Sequence, residues 1–249
     1  MVTVLIPIEG IPEVAEGDDL TEQIIEALES SRVGINENDV VVVCQKVVSK
    51  AEGRVVRLSD VEPSERALEF AGSHDKDPRL VELALKEARE VLRMRDGHLI
   101  TATGPGWVGA NSAIDRSNQA GDDEVTLLPE DADRSAASLR DSLMAHFGQQ
   151  LAVVVSDTFG RPWRLGQIDL AIGAAGIEVL RDLGGGLDRG GRLLEHTVVA
   201  VADQLAGAAG MVMGKADGIP AVLVRGFAYQ SGKGRARDMI RPPEDDLFR

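Results

Sequence analysis

Two periods run through the apolar positions of this chain. Leu151 to Val155 is a short unbroken run rich in β-branched residues. Such a run predicts a fully buried strand, central in a sheet with both faces covered. Val40 to Val43 predicts a second buried strand, and Val2 to Ile6, Val55-Val56, His98 to Thr103, Ile177 to Leu180 and Ala221 to Val224 read as further strands. Gln167 to Gly173 returns to an apolar pattern. Elsewhere the spacing is helical. Leu20, Ile24, Ile25 and Leu28 form one stripe behind a capping Asp18 or Asp19. Ser64 and Asp77-Pro78 start two more helices, the second with Leu80, Leu83, Ala84 and Val91 on its apolar side and a basic end over Arg89 to Arg95. Ala136 to Phe147 carries Leu139, Leu143 and Phe147 before a stop at Gly148, and Val198 to Met213 is a small-residue helix suited to close packing.

The candidate chemistry sits where apolar runs end. Leu151 to Val155 breaks into Ser156-Asp157-Thr158 and then Gly160-Arg161-Pro162-Trp163-Arg164. In open α/β sheets, ligands bind beyond such strand ends. Asp157 and Thr158 offer hard oxygens to Mg²⁺ or Mn²⁺, and Arg161 and Arg164 offer charge to phosphate or carboxylate. A plain turn, with Asp and Thr bonding their own backbone, fits the same residues. Lys46 and Lys50 follow Val40 to Val43, where phosphate-binding lysines often sit and solvated ones sit more often. Asp115 and Asn118 add a second group of hard oxygens in a polar loop, or form a turn.

Two glycine-rich stretches lead elsewhere. Gly104 to Gly109 matches G-x-G-x-x-G, but a polar loop follows instead of a helix, so a hairpin is expected and not a Rossmann site. Gly210 to Ala216 is one residue short of a Walker loop and ends in Ala where Ser or Thr must stand. Gly184 to Arg192 reads as a mobile loop, a lid or a linker.

Composition narrows the partners. The net charge of −14 and 3% aromatic content argue against nucleic acid or a membrane surface. The acidic surface suits a salty cytoplasm, which is the expected location. Cys44, the one cysteine, lies in an apolar run and reads as a buried, inert thiol. The four histidines are scattered, so a histidine-built metal site is not expected. At 249 residues the chain folds as one large domain or as two lobes.

Five loops in order carry a resemblance: Pro7 to Pro12, Val48 to Gly53, Ile114 to Asn118, Ser156 to Arg161 and Asp217 to Ala221. With the closing Arg241 to Arg249, they closely resemble the archaeal coenzyme F420-0:L-glutamate ligase, or F420 γ-glutamyl ligase, family. The resemblance implies a mixed α/β (α+β) fold of that family's own type, neither P-loop nor Rossmann, in a single ligase domain over residues 1–249. It implies a homodimer that phosphorylates the carboxylate of F420-0 with GTP and lets L-glutamate attack the acyl phosphate. A second γ-linked glutamate is an option. It also implies Mg²⁺ or Mn²⁺ in two sites, and allows a monovalent cation.

By the same resemblance, Asp115 and Asp157 hold one metal and Thr158 contributes to the second. Gly10, Ile11, Pro12, Glu13, Gln45, Lys46, Lys50 and Asn118 line the GTP, with Met213, Gly214, Lys215, Ala216, Asp217, Gly218, Ile219 and Pro220 completing the pocket. Arg161 and Arg164 are candidates for the substrate's anionic groups. Two positions depart from relatives. Gln45-Lys46 stand where relatives carry small hydroxyl residues. Lys215 stands where relatives carry Glu or Gln, and a charged lysine cannot ligate a cation. A backbone carbonyl, Gln204 or Asp217 then takes over, or the second metal is held less tightly. Two other readings stay open: a metal-dependent phosphotransferase or hydrolase without glutamate, and a non-catalytic deazaflavin-binding protein.

Overall fold

Unbroken apolar runs, whose side chains point alternately to the two faces of a sheet, build the centre of the molecule. In the computed structural model, which describes residues 2–117, 121 and 123–246, the apolar runs become strands buried on both faces. The elements in chain order are β1 (Val4–Pro7), α1 (Leu20–Ser30), β2 (Asp39–Cys44), α2 (Gln45–Ala51), β3 (Val55–Arg57), α3 (Glu65–Gly72) and α4 (Pro78–Glu87). Then come β4 (Ala88–Arg95), β5 (His98–Thr103), β6 (Val108–Ala110), β7 (Glu124–Thr126), α5 (Ala132–Phe147), β8 (Leu151–Arg161) and β9 (Arg164–Ala175). The chain continues through β10 (Leu180–Asp182), β11 (Val198–Ala200), α6 (Val201–Met213) and β12 (Ala221–Arg225).

The main sheet runs β1-β12-β2-β8-β9. Only β2 and β8 pair in parallel, Val41 opposite Val153; the other neighbours are antiparallel. Val41, Val43, Val153, Val155 and Leu223 face one way, into a core closed by α1 and α5. Val40, Val42, Ala152, Val154 and Val222 face the other way, into a core closed by α6. Because both faces are covered, neither set needs polar partners on the strand. The expected central position of Leu151 to Val155 is observed, and the class is mixed α/β.

Between β2 and β8 the chain leaves the main sheet. It builds the β3-β7 pair, the β4-β5-β6 sheet and two smaller cores, one around Phe70, Val81 and Leu99 and one around Leu58, Leu83 and Val125. Caps are where the sequence put them: the side chains of Asp19, Ser64 and Asp77 accept first-turn N–H groups. Helix α5 begins at Ala132, four residues before the expected start, behind a capping Asp131.

Four expectations are corrected. The helix from Pro78 stops at Glu87, and Ala88–Arg95 is a strand hydrogen-bonded to β5 through the Asp96-Gly97 turn. Both turn residues have positive φ, 53° and 72°, the type I′ geometry that Asp-Gly favours between strands. The tertiary pairing outweighed a helical reading of Val91 and the arginines. Secondly, β8 does not break at Ser156. It continues to Arg161 and folds back at Pro162-Trp163 into β9, with a register shift between Val155 and Ser156. Thirdly, Ile177 to Leu180 is mostly irregular, and the short strand there is Leu180–Asp182. Fourthly, Val198–Ala200 pairs with that strand, so α6 starts only at Val201. The hairpin expected at Gly104 to Gly109 is present as the turn between β5 and β6.

Candidate functional site

The parallel pair β2 and β8 ends at one edge of the main sheet, and both strands deliver polar residues there. Cys44 lies opposite Ser156, and α2 starts at once with Gln45, Lys46 and, one turn on, Lys50. The register shift after Val155 re-aims the far half of β8, as strand irregularities do. Asp157, Thr158 and Phe159 then line a cavity of about 1050 Å³. Its other walls come from Ile11 to Val14, from β6 and the loop to Ser117, and from the end of α6 through Pro220.

Asp115 reaches the cavity from the lobe between β2 and β8. The preceding Asn111, Ser112 and Ala113 are all left-handed, with φ of 51°, 53° and 56°. Ser112 is buried and fixed there: its hydroxyl donates to the Ala84 carbonyl at 2.6 Å, and its N–H donates to Thr101 Oγ1 at 3.0 Å. Asp115 then exchanges both backbone hydrogen bonds with Thr126, at 3.0 and 2.8 Å. Its carboxylate meets the Lys46 ammonium at 2.9 Å and accepts from the Ser117 N–H and hydroxyl at 2.7 and 2.8 Å. Burial opposes ionisation of Asp115, but Lys46 and Ser117 outweigh it and hold the carboxyl below the usual range.

Asp157 is in the opposite state. Burial pushes it up to about 7, and the negative charges of Asp115 and Asp169 add to the effect, against the Thr158 N–H and the Lys215 ammonium. Two neighbouring carboxyls with separated proton affinities mark a place where a cation or a proton is wanted. Lys50, buried, pairs with Glu13, and Lys46 also donates to the Ser117 carbonyl at 2.6 Å. The buried position of Lys50 departs from the solvated reading. Gln45 faces the cavity, but its amide nitrogen is committed to Ser49 Oγ at 2.6 Å and the Leu127 carbonyl at 3.0 Å.

Most of the residues named from sequence come together. Ile11, Pro12, Glu13, Gln45, Lys46, Lys50, Asp115, Asp157, Thr158, Arg161, Met213 to Ala216 and Gly218 to Pro220 all line the cavity. Gly10, Arg164 and Asp217 do not line it, and Asn118 lies outside the described residues. Arg161 is tied to the hairpin tip, donating to the Leu165 and Gly166 carbonyls at 2.5 and 3.4 Å. Cys44 is half-buried on the cavity wall, not fully enclosed, and burial raises its thiol above the ordinary value, which keeps it protonated. The Gly184 to Arg192 segment is folded on itself, with Gly185 bonded to Leu194, and does not line the cavity.

One acid escaped the sequence reading. Asp169 stands opposite Thr158 in the β8-β9 hairpin, and Thr158 Oγ1 donates to its carboxylate at 2.5 Å. Taking Pro162-Trp163 as a hairpin tip would have placed it there.

The donor set fits a hard divalent cation. Asp115 and Asp157 are two carboxylates with Thr158 beside them, and Mg²⁺ is usually held by one or two carboxylates with the rest of its ligands from water and substrate phosphate. Among the described residues, no three His, Cys, Asp or Glu side chains gather closely enough to hold a metal alone. Among them, too, no helix is long and apolar enough to cross a membrane.

Residues 10–226 match the model of the F420-0:gamma-glutamyl ligase family. The chain is 43% identical over 248 residues to the coenzyme F420:L-glutamate ligase of Methanothermobacter thermautotrophicus, covering 98% of each. It is 44% identical over 250 residues to that of Methanopyrus kandleri, covering 97% of each, and 41% identical over 216 residues to that of Methanocaldococcus jannaschii, covering 86% of each. The chain belongs to the F420-0:gamma-glutamyl ligase family.

Proposed function

We propose that this family member is a GTP-dependent ligase that joins L-glutamate to the free carboxylate of coenzyme F420-0, a step in F420 biosynthesis. A carboxylate oxygen attacks the γ-phosphorus of GTP, the bond from phosphorus to the bridging oxygen breaks, and GDP leaves. The glutamate nitrogen then attacks the acyl carbon of the resulting acyl phosphate. Inorganic phosphate departs, and the nitrogen loses a proton.

The observation that carries this reading is the arrangement of charge in the cavity. Asp115, Asp157, Lys46 and Lys50 all line one space large enough for a nucleotide, with Lys46 paired to Asp115. Two anions, a carboxylate and a triphosphate, repel unless positive charge lies between them. Lys46 and Lys50 supply part of it on α2. A divalent ion on Asp115 and Asp157 would supply the rest, together with orientation of the γ-phosphate. Ile11 to Glu13, Met213 to Ala216 and Gly218 to Pro220 are the walls for the nucleotide. Arg161, at the far end of the hairpin, is the residue for the anionic end of the deazaflavin arm. The failed Walker match agrees with phosphate binding through side chains and a metal.

The test is mass spectrometry of a reaction holding the protein, F420-0, L-glutamate, GTP and Mn²⁺. Product heavier by one or two glutamyl residues is expected, absent without metal. GDP with unchanged F420-0 would overturn the ligase in favour of a phosphotransferase. Binding of F420-0 with neither product nor GDP would leave a binding protein.

A further inference from the structure

Lys215 follows Gly214, just past the end of α6, and its ammonium is aimed at β8 and β9. The nitrogen lies 2.7 Å from Thr158 Oγ1 and 3.2 Å from Asp169 Oδ1. Thr158 and Asp169 are cross-strand partners, already joined through the threonine hydroxyl. A hydroxyl and a carboxylate are the oxygens a hard divalent ion takes, at about 2.0–2.6 Å. The Lys215 ammonium meets both oxygens of the pair, in the place such an ion would need, whereas at the other site Lys46 meets Asp115 but, among the described residues, no ammonium pairs with Asp157. On its other side the Asp169 carboxylate is closed off by α6, where a Cβ on Gly210 would overlap it.

Neither Gln204 nor Asp217 replaces what Lys215 takes away. Gln204 is exposed on α6 and does not line the cavity. Asp217 turns back against Gly214 and does not line it either. We propose that the Lys215 ammonium stands in place of a second divalent cation at the Thr158–Asp169 pair, leaving one divalent site, at Asp115 and Asp157. The choice of Mg²⁺ or Mn²⁺ for that site rests on the ligase reading. The chain thus carries one of its cations covalently, as a single positive charge, where a metal would bring two.

The test counts Mn²⁺ on the full chain without nucleotide, F420-0 or glutamate, by the EPR signal of unbound Mn²⁺ during titration. One Mn²⁺ per chain is expected for the unaltered protein and for Lys215→Arg. Two are expected for Lys215→Gln, falling back to one when Asp169→Asn is added. Any count but one in the unaltered protein overturns the proposal, as does a count of one in Lys215→Gln. The Lys215 side chain is largely exposed, so these variants keep the fold. A protein that makes no glutamylated product yet shows the change from one to two sinks the ligase and keeps this inference. A product-forming protein that binds two Mn²⁺ does the reverse.

Discussion

The strand β8 has two halves that share a backbone and little else. From Leu151 to Val155 every side chain is apolar and at most 1% exposed. From Ser156 to Arg161 the strand carries a hydroxyl, a carboxylate, a second hydroxyl and a guanidinium along one cavity. Burial does opposite things in the two halves. In the first it removes hydrocarbon from water and stabilises the fold. In the second it strips water from Asp157, raises its proton affinity and leaves a site that calls for positive charge. The register shift after Val155 is the hinge between them. Stability and chemistry are therefore separable along the 11 residues of one strand.

The separation is sharpest for Asp157→Asn. If the far half of β8 serves chemistry, formation of glutamylated F420 falls about 10³-fold, in the range seen when one preorganised electrostatic partner is removed. The melting temperature stays level or rises, because a buried carboxyl that resists ionisation is gone. A fall in both would show that Asp157 holds the fold. For Leu151→Ala the expectation is the mirror image. Denaturant unfolding should show a loss of about 3 kcal/mol, within the usual span for emptying a core leucine site. Turnover per folded molecule stays unchanged. A large loss of turnover in the folded fraction would mean the two halves are coupled.

A smaller effect lies away from β8, in the lobe that presents Asp115. Glu82 on α4 accepts from the Ser64 hydroxyl and N–H, at 2.5 and 3.0 Å, and these bonds hold its carboxyl below its ordinary value. A depressed acid stabilises the fold above its unfolded value of 4.5, and that stability is lost as pH falls through the folded value. Chemical unfolding followed from pH 7 to pH 3 should show this decline. Glu82→Gln should start less stable at pH 7 and flatten the decline below pH 4.5. Parallel curves for the two proteins would remove Glu82 from the acid response.

Much of this was legible from the chain. Asp19, Ser64 and Asp77 announced their helices because a cap is a contact between residues two or three apart. Val40 to Val43 and Leu151 to Val155 announced buried strands because β-branched runs suit a sheet covered on both sides. The Asp96-Gly97 turn is also legible, but Val91 fits the helical stripe before it and hides the strand between them. Lys46, Lys50, Asp115 and Asp157 were singled out by residue type and by their place after apolar runs. The family resemblance then joined them, and the fold brings all four to one cavity.

The sequence by itself determined the central buried strands, the caps of α1, α3 and α4 and the residue types able to hold a cation. Those properties depend on neighbours along the chain, within a turn of helix or a pair of strand residues. Only the tertiary structure decided which charges meet. Asp169 finds Thr158 through the register of a long hairpin, Asp115 finds Lys46 through packing of the lobe between β2 and β8, and Lys215 reaches both Thr158 and Asp169 from the end of α6. Each meeting joins residues 11 to 69 positions apart, by direct subtraction of their numbers. Electrostatic energy depends on separation in space and on the water removed from around each charge, and neither is written in the order of residues.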